Sequence, residues 1–238
     1  MAQALRAAAA TVDTDLEVHS LRSYFIRRGD HTEPIRFEVD RIRNGRSFST
    51  RRVIARQAIG AILNLEASFQ RSETTFDLQA ITMDIAVPDP ESLVSEPFTS
   101  SADRRFVPRS WVPSTASVGA GRTLAWMKVN DPLGDDQLLH RCWLAYLSDD
   151  LPTDSTRTAT GTADDGMFAA SLDHSIWFHR PIRADQWHLH DFTCQTYVGG
   201  RGLAIGHVFA SDGVHVATVA QEVLMRGHRN EQTGDHVS

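Results

Sequence analysis

Apolar and polar positions alternate with the two-residue period of a half-buried strand through Val18 to Arg27, Ile35 to Arg43, Phe48 to Arg56 and Ala61 to Gln70. Arg28-Gly29-Asp30 and Asn44-Gly45 supply turn chemistry between these runs, so they predict an antiparallel meander of about four strands. Ahead of them Ala2 to Val12 is alanine-rich and helix-forming, with no capping residue before it, and reads as a helix entered midway.

The same order recurs further on. Thr123 to Val129 predicts a strand. Asp136 to Leu147 predicts a helix, placing Leu138, Leu139, Cys142, Trp143, Tyr146 and Leu147 on one face that should be buried. The helix opens on Asp135 or Asp136 and stops before Pro152, and Asp154 to Gly166 is polar and reads as a loop. Four more strand patterns follow, Ala169 to His179, Trp187 to Tyr197, Gly202 to Ala210 and Val214 to Arg226, with Ser211-Asp212-Gly213 as a hairpin turn. His19-Ser20-Leu21 and His174-Ser175-Ile176 stand 155 positions apart, as do Gly45-Arg46 and Gly200-Arg201. Both pairs fall at matching places in two helix-plus-meander units, which indicates a tandem duplication. Ser72 to Gly121 holds five of the nine prolines and reads as a connection crossing the surface. The expected division is therefore a first unit over 1–71, a linker over 72–121 and a second unit over 122–238. A sheet of this kind must bury its apolar face on the helix, and two such units can join edge to edge into one sheet, an α+β architecture.

Composition narrows the functional classes. The 238 residues carry 24 Lys and Arg against 30 Asp and Glu, a net charge of −6, which argues against general nucleic-acid binding; the arginines also lack interleaved aromatics for base stacking. Cys142 and Cys194 lie apart in apolar stretches and read as packing residues in a reducing, cytoplasmic setting. No apolar run approaches the length of a membrane span, and Met1 to Val12 lacks the layout of a signal peptide. His188-Leu189-His190 has no ligand set at zinc-site spacing, so no metal is expected. Asp173-His174-Ser175 is no triad, because neighbours in a strand face opposite sides, and no Gly-x-Ser-x-Gly elbow is present.

Several long blocks in order carry a resemblance over nearly the whole chain: Val18-His19-Ser20-Leu21-Arg22-Ser23-Tyr24-Phe25, Asn44-Gly45-Arg46-Ser47-Phe48-Ser49-Thr50-Arg51-Arg52-Val53, Ala67-Ser68-Phe69-Gln70, Asp173-His174-Ser175-Ile176-Trp177-Phe178-His179-Arg180-Pro181 and Val219-Ala220-Gln221-Glu222. They resemble the type II (TesB-like) acyl-CoA thioesterases, which have a double hot-dog fold. The resemblance implies hydrolysis of fatty acyl-CoA to free fatty acid and coenzyme A by direct attack of water, without a cofactor. It implies three catalytic positions, Asp149 after the second helix, Ser171 at the start of the Asp-His-Ser strand and Gln221 in the last strand. It also suggests a homo-oligomer, a dimer or a tetramer.

Elementary chemistry fits these roles. Asp149 stands at a helix C-terminus, where the dipole disfavours another negative charge, and this suits a general base. Ser171 and Gln221 can each donate a hydrogen bond to a carboxylate and accept one from water. Arg41, Arg43, Arg46, Arg51, Arg52 and Arg56 form a basic cluster around the first hairpin. Of these, Arg46, Arg51 and Arg52 are candidates for the coenzyme A phosphates or else belong to a solvated strand edge. His174 is carried as a further candidate substrate contact beside its reading as a hydrogen-bonded histidine at a sheet or subunit contact. The family also has a strand and a Gly-Gly-Gln stretch before the first helix, whereas Met1-Ala2-Gln3-Ala4-Leu5 corresponds to the helix interior. The first unit is therefore expected without its front strand. The alternative function is a non-catalytic protein that binds acyl-CoA or pairs with other subunits.

Overall fold

The computed structural model describes residues 1–83, 86–112, 121–162 and 167–227. Helix α1 (Ala2–Ala9) is followed by strands β1 (Leu16–Phe25), β2 (Arg36–Asn44), β3 (Phe48–Gln57) and β4 (Gly60–Arg71). Next come β5 (Ala102–Phe106), β6 (Arg122–Val129), helices α2 (Gln137–Leu147) and α3 (Leu151–Thr160), and β7 (Met167–Ser171). Strands β8 (Asp173–Phe178), β9 (His188–Val198), β10 (Arg201–Ala210) and β11 (His215–Gly227) complete the order. Among the described residues, eleven strands form one sheet in the order β2-β3-β4-β1-β8-β11-β10-β9-β6-β5, with β7 also on β11. No helix among them is long and apolar enough to cross a membrane.

The two units join where β1 pairs antiparallel with β8, in a register that sets Leu21 opposite Ile176. These two residues are equivalents under the 155-residue repeat. An antiparallel pair in which equivalent residues face each other has a local two-fold axis through that point, so the 155-residue spacing and the sheet share a centre.

One hydrophobic core runs between the inner face of this sheet and the helices, and includes Leu5, Leu21, Val53, Leu65, Phe69, Leu144, Leu147, Leu151, Ile176 and Val219. Helix α1 presents the small residues Ala4 and Ala8 beside Leu5, all fully buried, and packs on α2 as well as on β2, β3 and β4. The expected loop from Asp154 is instead helical as far as Thr160. Pro152 sits in its first turn, where no intrahelical N–H is lost. Ser155 and Thr156 each donate to the carbonyl of Pro152 at 2.9 Å, so polar side chains are satisfied inside the packing. Gly161, at φ 64°, ends the helix. This helix packs on β6, β9, β10 and β11, and the approach is so close that a Cβ on Gly202 would lie 2.3 Å from Thr156 Cγ2.

The stretch 72–121, expected as a surface linker, contains β5 at the sheet edge beside β6. Its Met83, Val87, Leu93, Val107 and Val112 also form part of a second apolar cluster with Leu124, Trp126, Leu189 and Phe209 on the outer sheet face. The indole of Trp126 donates to the carbonyl of Pro88 at 3.1 Å. This segment thus dries one outer face, a role its proline content conceals.

The uniformly buried face expected for α2 also differs. His140, Arg141, Leu144, Ala145 and Leu147 are buried, while Tyr146 is exposed and Leu138, Leu139 and Trp143 are half-buried. His140 and Arg141 go inside because they have partners. His140 Nδ1 accepts from the Ala184 amide at 3.1 Å and its Nε2 donates to the Gly134 carbonyl at 2.9 Å, while Arg141 pairs with Glu17 at 2.6 Å.

Candidate active site

Helices α2 and α3 meet at Ser148, Asp149 and Asp150, so Asp149 stands at a junction of two helices and not at a free helix end. Asp150 turns away to Arg104 on β5, at 2.5 Å. Burial pushes the Asp150 carboxyl above its ordinary range, against the pull of Arg104. Asp149 turns the other way, and its Oδ1 accepts from the Ser171 hydroxyl at 2.9 Å.

The strand expected to run unbroken from Ala169 to His179 is interrupted at Leu172. Strand β7 pairs with Val223 to Gly227 of β11 and β8 pairs with Ala217 to Ala220, and the gap between them lies beside Gln221. In an unbroken strand Ser171 and His174 would face opposite sides of the sheet. Here both reach the same amide. Gln221 Nε2 donates to Ser171 Oγ at 2.9 Å, and Gln221 Oε1 meets His174 Nδ1 at 2.5 Å. His174 Nε2 in turn lies 3.0 Å from Ser148 Oγ. Ser148, His174 and Gln221 are fully buried, while Asp149 and Ser171 are half-buried. The string therefore starts and ends on neighbouring residues, Ser148 and Asp149, passing through three strands, β8, β11 and β7, between them. Burial lowers the pKa of His174 and keeps the ring neutral.

The three residues Asp149, Ser171 and Gln221 are thus brought together. His174 belongs to the same string and not to a surface that could touch a phosphate. The arginine candidates lie elsewhere. Strand β3 is three strand spacings from β8, about 14 Å. Arg51 is buried and gives its N–H groups to Thr11 Oγ1, Asn44 Oδ1 and the carbonyls of Thr11, Arg43 and Thr50. It staples α1 to β3, and its guanidinium is not available to a ligand. Arg52 pairs with Asp40 at 2.6 Å. Arg46 is exposed at the hairpin, where its carbonyl accepts from Arg71 at 3.1 Å. Ser148 gave no sequence signal, because a serine after a helix is commonplace.

A groove of about 610 Å³ lies between α1 and α2, lined in part by Ala2, Arg6, Leu139, Cys142, Trp143 and Tyr146. Positions 139, 142, 146 and 149 follow helical spacing, so the apolar wall leads toward Asp149. Burial raises the Cys142 thiol to about 11, and at neutral pH it is an uncharged part of that wall. Another cavity of about 630 Å³ lies on the far side of α3, among Phe106, Arg122, Leu124 and Arg157; Arg122 is paired there with Asp191 at 2.5 Å.

Comparison with known proteins bears on this site. The family profile of the acyl-CoA thioesterase N-terminal domain matches residues 1–70, and that of the acyl-CoA thioesterase C-terminal domain matches residues 79–225. Acyl-CoA thioesterase 2 of Haemophilus influenzae is 35% identical, over 95% of this chain and 85% of the relative. Acyl-coenzyme A thioesterase 8 of Mus musculus is also 35% identical, over 95% of this chain and 78% of the relative. The crystal structure of the acyl-CoA thioesterase II TesB2 from Mycobacterium marinum superimposes with a TM-score of 0.88 at 39% identity, covering 96% of this chain and 88% of that one. A hot dog fold protein from Alicyclobacillus acidocaldarius, 18% identical with a TM-score of 0.76, bears on the fold alone.

Proposed function

The chain belongs to the acyl-CoA thioesterase family, a family of thioester hydrolases with the hot dog fold, and from that membership we propose that Asp149, Ser171 and Gln221 organise a water for direct attack on the thioester carbonyl of a fatty acyl-CoA. The observation that carries this reading is the string Asp149–Ser171–Gln221, with both links at 2.9 Å. Oδ1 of Asp149 is held by Ser171, and Oδ2 makes no hydrogen bond among the described residues, so Oδ2 is the oxygen that takes a water proton. Water adds to the carbonyl carbon as its proton passes to Asp149. The second N–H of Gln221 Nε2 donates to the oxygen on which negative charge grows. Collapse of the tetrahedral intermediate breaks the C–S bond. The proton on Asp149 then goes to the departing sulfur, giving a fatty acid and coenzyme A with no acyl-enzyme. The acyl chain lies in the groove along α2.

The complete Asp149–Ser171–Gln221 set weighs against a protein that only binds acyl-CoA. Free-thiol release from medium- and long-chain acyl-CoA tests the proposal. Asp149→Asn, which keeps the shape and removes the base, is expected to lower kcat by about a thousandfold while KM changes by less than about threefold. Full turnover by this variant, or no thiol release by the parent protein, would reject it.

A further inference from the structure

The site contains two residues that the hydrolytic reading does not itself use, Ser148 and His174, and both are fully buried. The geometry points to a positioning role: we propose that Ser148 and His174 lock the amide of Gln221 in one orientation, with Oε1 inward on His174 and Nε2 outward on Ser171 and the substrate. This inference rests on the hydrolytic reading given above.

The directions of these hydrogen bonds follow from an ionised carboxylate at one end and a neutral ring near the other. An ionised carboxylate has no proton to give, so the bond between Ser171 Oγ and Asp149 Oδ1 uses the serine hydrogen. Ser171 can then only accept from Gln221, which puts Nε2 on that side, in keeping with the 2.9 Å separation. Oε1 must face His174, and a carbonyl oxygen accepts, so the ring carries its hydrogen on Nδ1. A neutral ring has one hydrogen. Nε2 is therefore bare and accepts from Ser148 Oγ at 3.0 Å, a shorter contact than the 3.4 Å from that hydroxyl to the Ala145 carbonyl.

Five groups form one directed chain: Ser148 to His174, His174 to Gln221, Gln221 to Ser171 and Ser171 to Asp149. A glutamine without the histidine could turn over in its site. Turned over, it would set two acceptors, Oε1 and the carboxylate, competing for the single Ser171 hydrogen. It would also withdraw the N–H that meets the developing oxyanion. Ser148 selects the Nδ1–H form because its hydroxyl can donate to a bare Nε2. Ser23, which donates to the carbonyl of His174 at 3.3 Å, holds the strand beneath the ring.

The test is a mutant cycle with a spectroscopic check. His174→Leu is expected to lower kcat by about ten- to a hundredfold, the scale of a misplaced reacting group, with KM within about threefold of the parent. His174→Asn presents an amide N–H near the place of Nδ1–H and is expected to recover kcat to within about fivefold. With Gln221→Leu already in place, His174→Leu should change kcat by less than about twofold, because the group it positions is gone. Nitrogen NMR of the parent protein should show His174 Nδ1 protonated and Nε2 bare. Ser148→Ala, which keeps the ring and the packing, should populate the other tautomer and lower kcat several-fold, so the idea stays testable if His174→Leu does not fold.

An Nε2–H ring in the parent, an Asn variant no better than Leu, or the full His174→Leu penalty in the Gln221→Leu background would overturn the positioning role. If Gln221→Leu impairs turnover while folded His174→Leu does not, the positioning role falls and the hydrolytic reading stands. If Gln221→Leu leaves kcat unchanged, the hydrolytic reading itself fails.

Discussion

His19-Ser20-Leu21 in the first unit and His174-Ser175-Ile176 in the second sit at equivalent places on paired strands, yet only the second histidine lies in the core. The cause is one residue of register. Strand β1 carries a bulge between Val18 and Ser20, which lets Ser20 and Leu21 both face the helices and turns His19 to the outer side. There it lies 2.8 Å from Ser68 Oγ and edge-on to Phe48. Strand β8 has no bulge, and its alternation drives His174 inward to Ser148 and Gln221. The corresponding tripeptides, His-Ser-Leu and His-Ser-Ile, therefore support a half-buried contact in one unit and a buried hydrogen-bonded string in the other. Local register decides which of the two histidines reaches the buried string.

The helices differ in the same sense. The first unit packs α1 on its sheet with Ala4, Leu5 and Ala8, and fastens its C-terminal end with Arg51. The second unit breaks its helix at Ser148 to Asp150 and continues as α3. Breaking the helix aims Asp149 at Ser171 and Asp150 at Arg104. If the first unit is scaffold and the second carries the reaction, substitutions in the two should separate stability from turnover.

Arg51→Met gives the largest effect on the scaffold side. It removes the N–H groups that satisfy Thr11, Asn44 and the carbonyls of Arg43 and Thr50 where the end of α1 meets the first hairpin. Denaturant unfolding should show a loss of about 3 kcal/mol. The kcat and KM of the protein that remains folded should be unchanged. A higher KM for acyl-CoA at undiminished stability would instead make Arg51 a phosphate ligand and break the comparison.

The strands of both units were legible because each has one buried face, and two-residue alternation records that burial. What escaped has physical reasons. Helix α3 is rich in Ser and Thr, which ordinarily favour turns; here they bond back to carbonyls such as that of Pro152. Strand β5 is an edge of five residues in a proline-rich stretch and has no room for a pattern. The break at Leu172 keeps strand-like composition on both sides, so only the pairing of β11 with two partners reveals it. Asp149, Ser171 and Gln221 were reachable through resemblance alone, since each is an ordinary polar residue in its own segment. The hydrogen-bonded reading of His174 agrees with the fold but names no partners, and Ser148 carries no sequence signal, because both depend on distances across the fold.

Acidification should act chiefly on the second unit. His188 and His190 lie on the inner face of β9, fully buried, and neither nitrogen of His190 finds a hydrogen-bond partner among the described residues. Burial lowers His188 to about 4 and takes His190 well below its ordinary value. An unfolded histidine titrates near 6.5, so as pH falls the unfolded chain takes up protons first. Stability is complete above about pH 6.5 and declines from there toward about pH 4, and each such group costs about 2 kcal/mol by pH 5. Unfolding measured at pH 7 and pH 5 should show this drop, and His190→Phe, stacked beside Phe192, should reduce it. An unchanged slope in that variant would place the acid-sensitive groups elsewhere.

Arg52→Ala is the smallest and most discriminating case, because Arg52 neighbours Arg51 in sequence while facing the other side of the sheet. Its partner Asp40 lies at 2.6 Å, but both side chains are about half exposed, 43% and 52%. Solvent screens such a pair, and holding two long side chains together costs entropy, so its loss should move stability by less than about 0.5 kcal/mol. The nearest strand of the site, β8, is three strand spacings away on the sheet, and kcat should not respond. If KM also stays within about twofold, the basic hairpin is a solvated edge and the coenzyme A phosphates meet other groups. A several-fold rise in KM that vanishes at high salt would instead mark Arg52 as a long-range electrostatic contributor, and the first unit would then take part in substrate capture as well as in support.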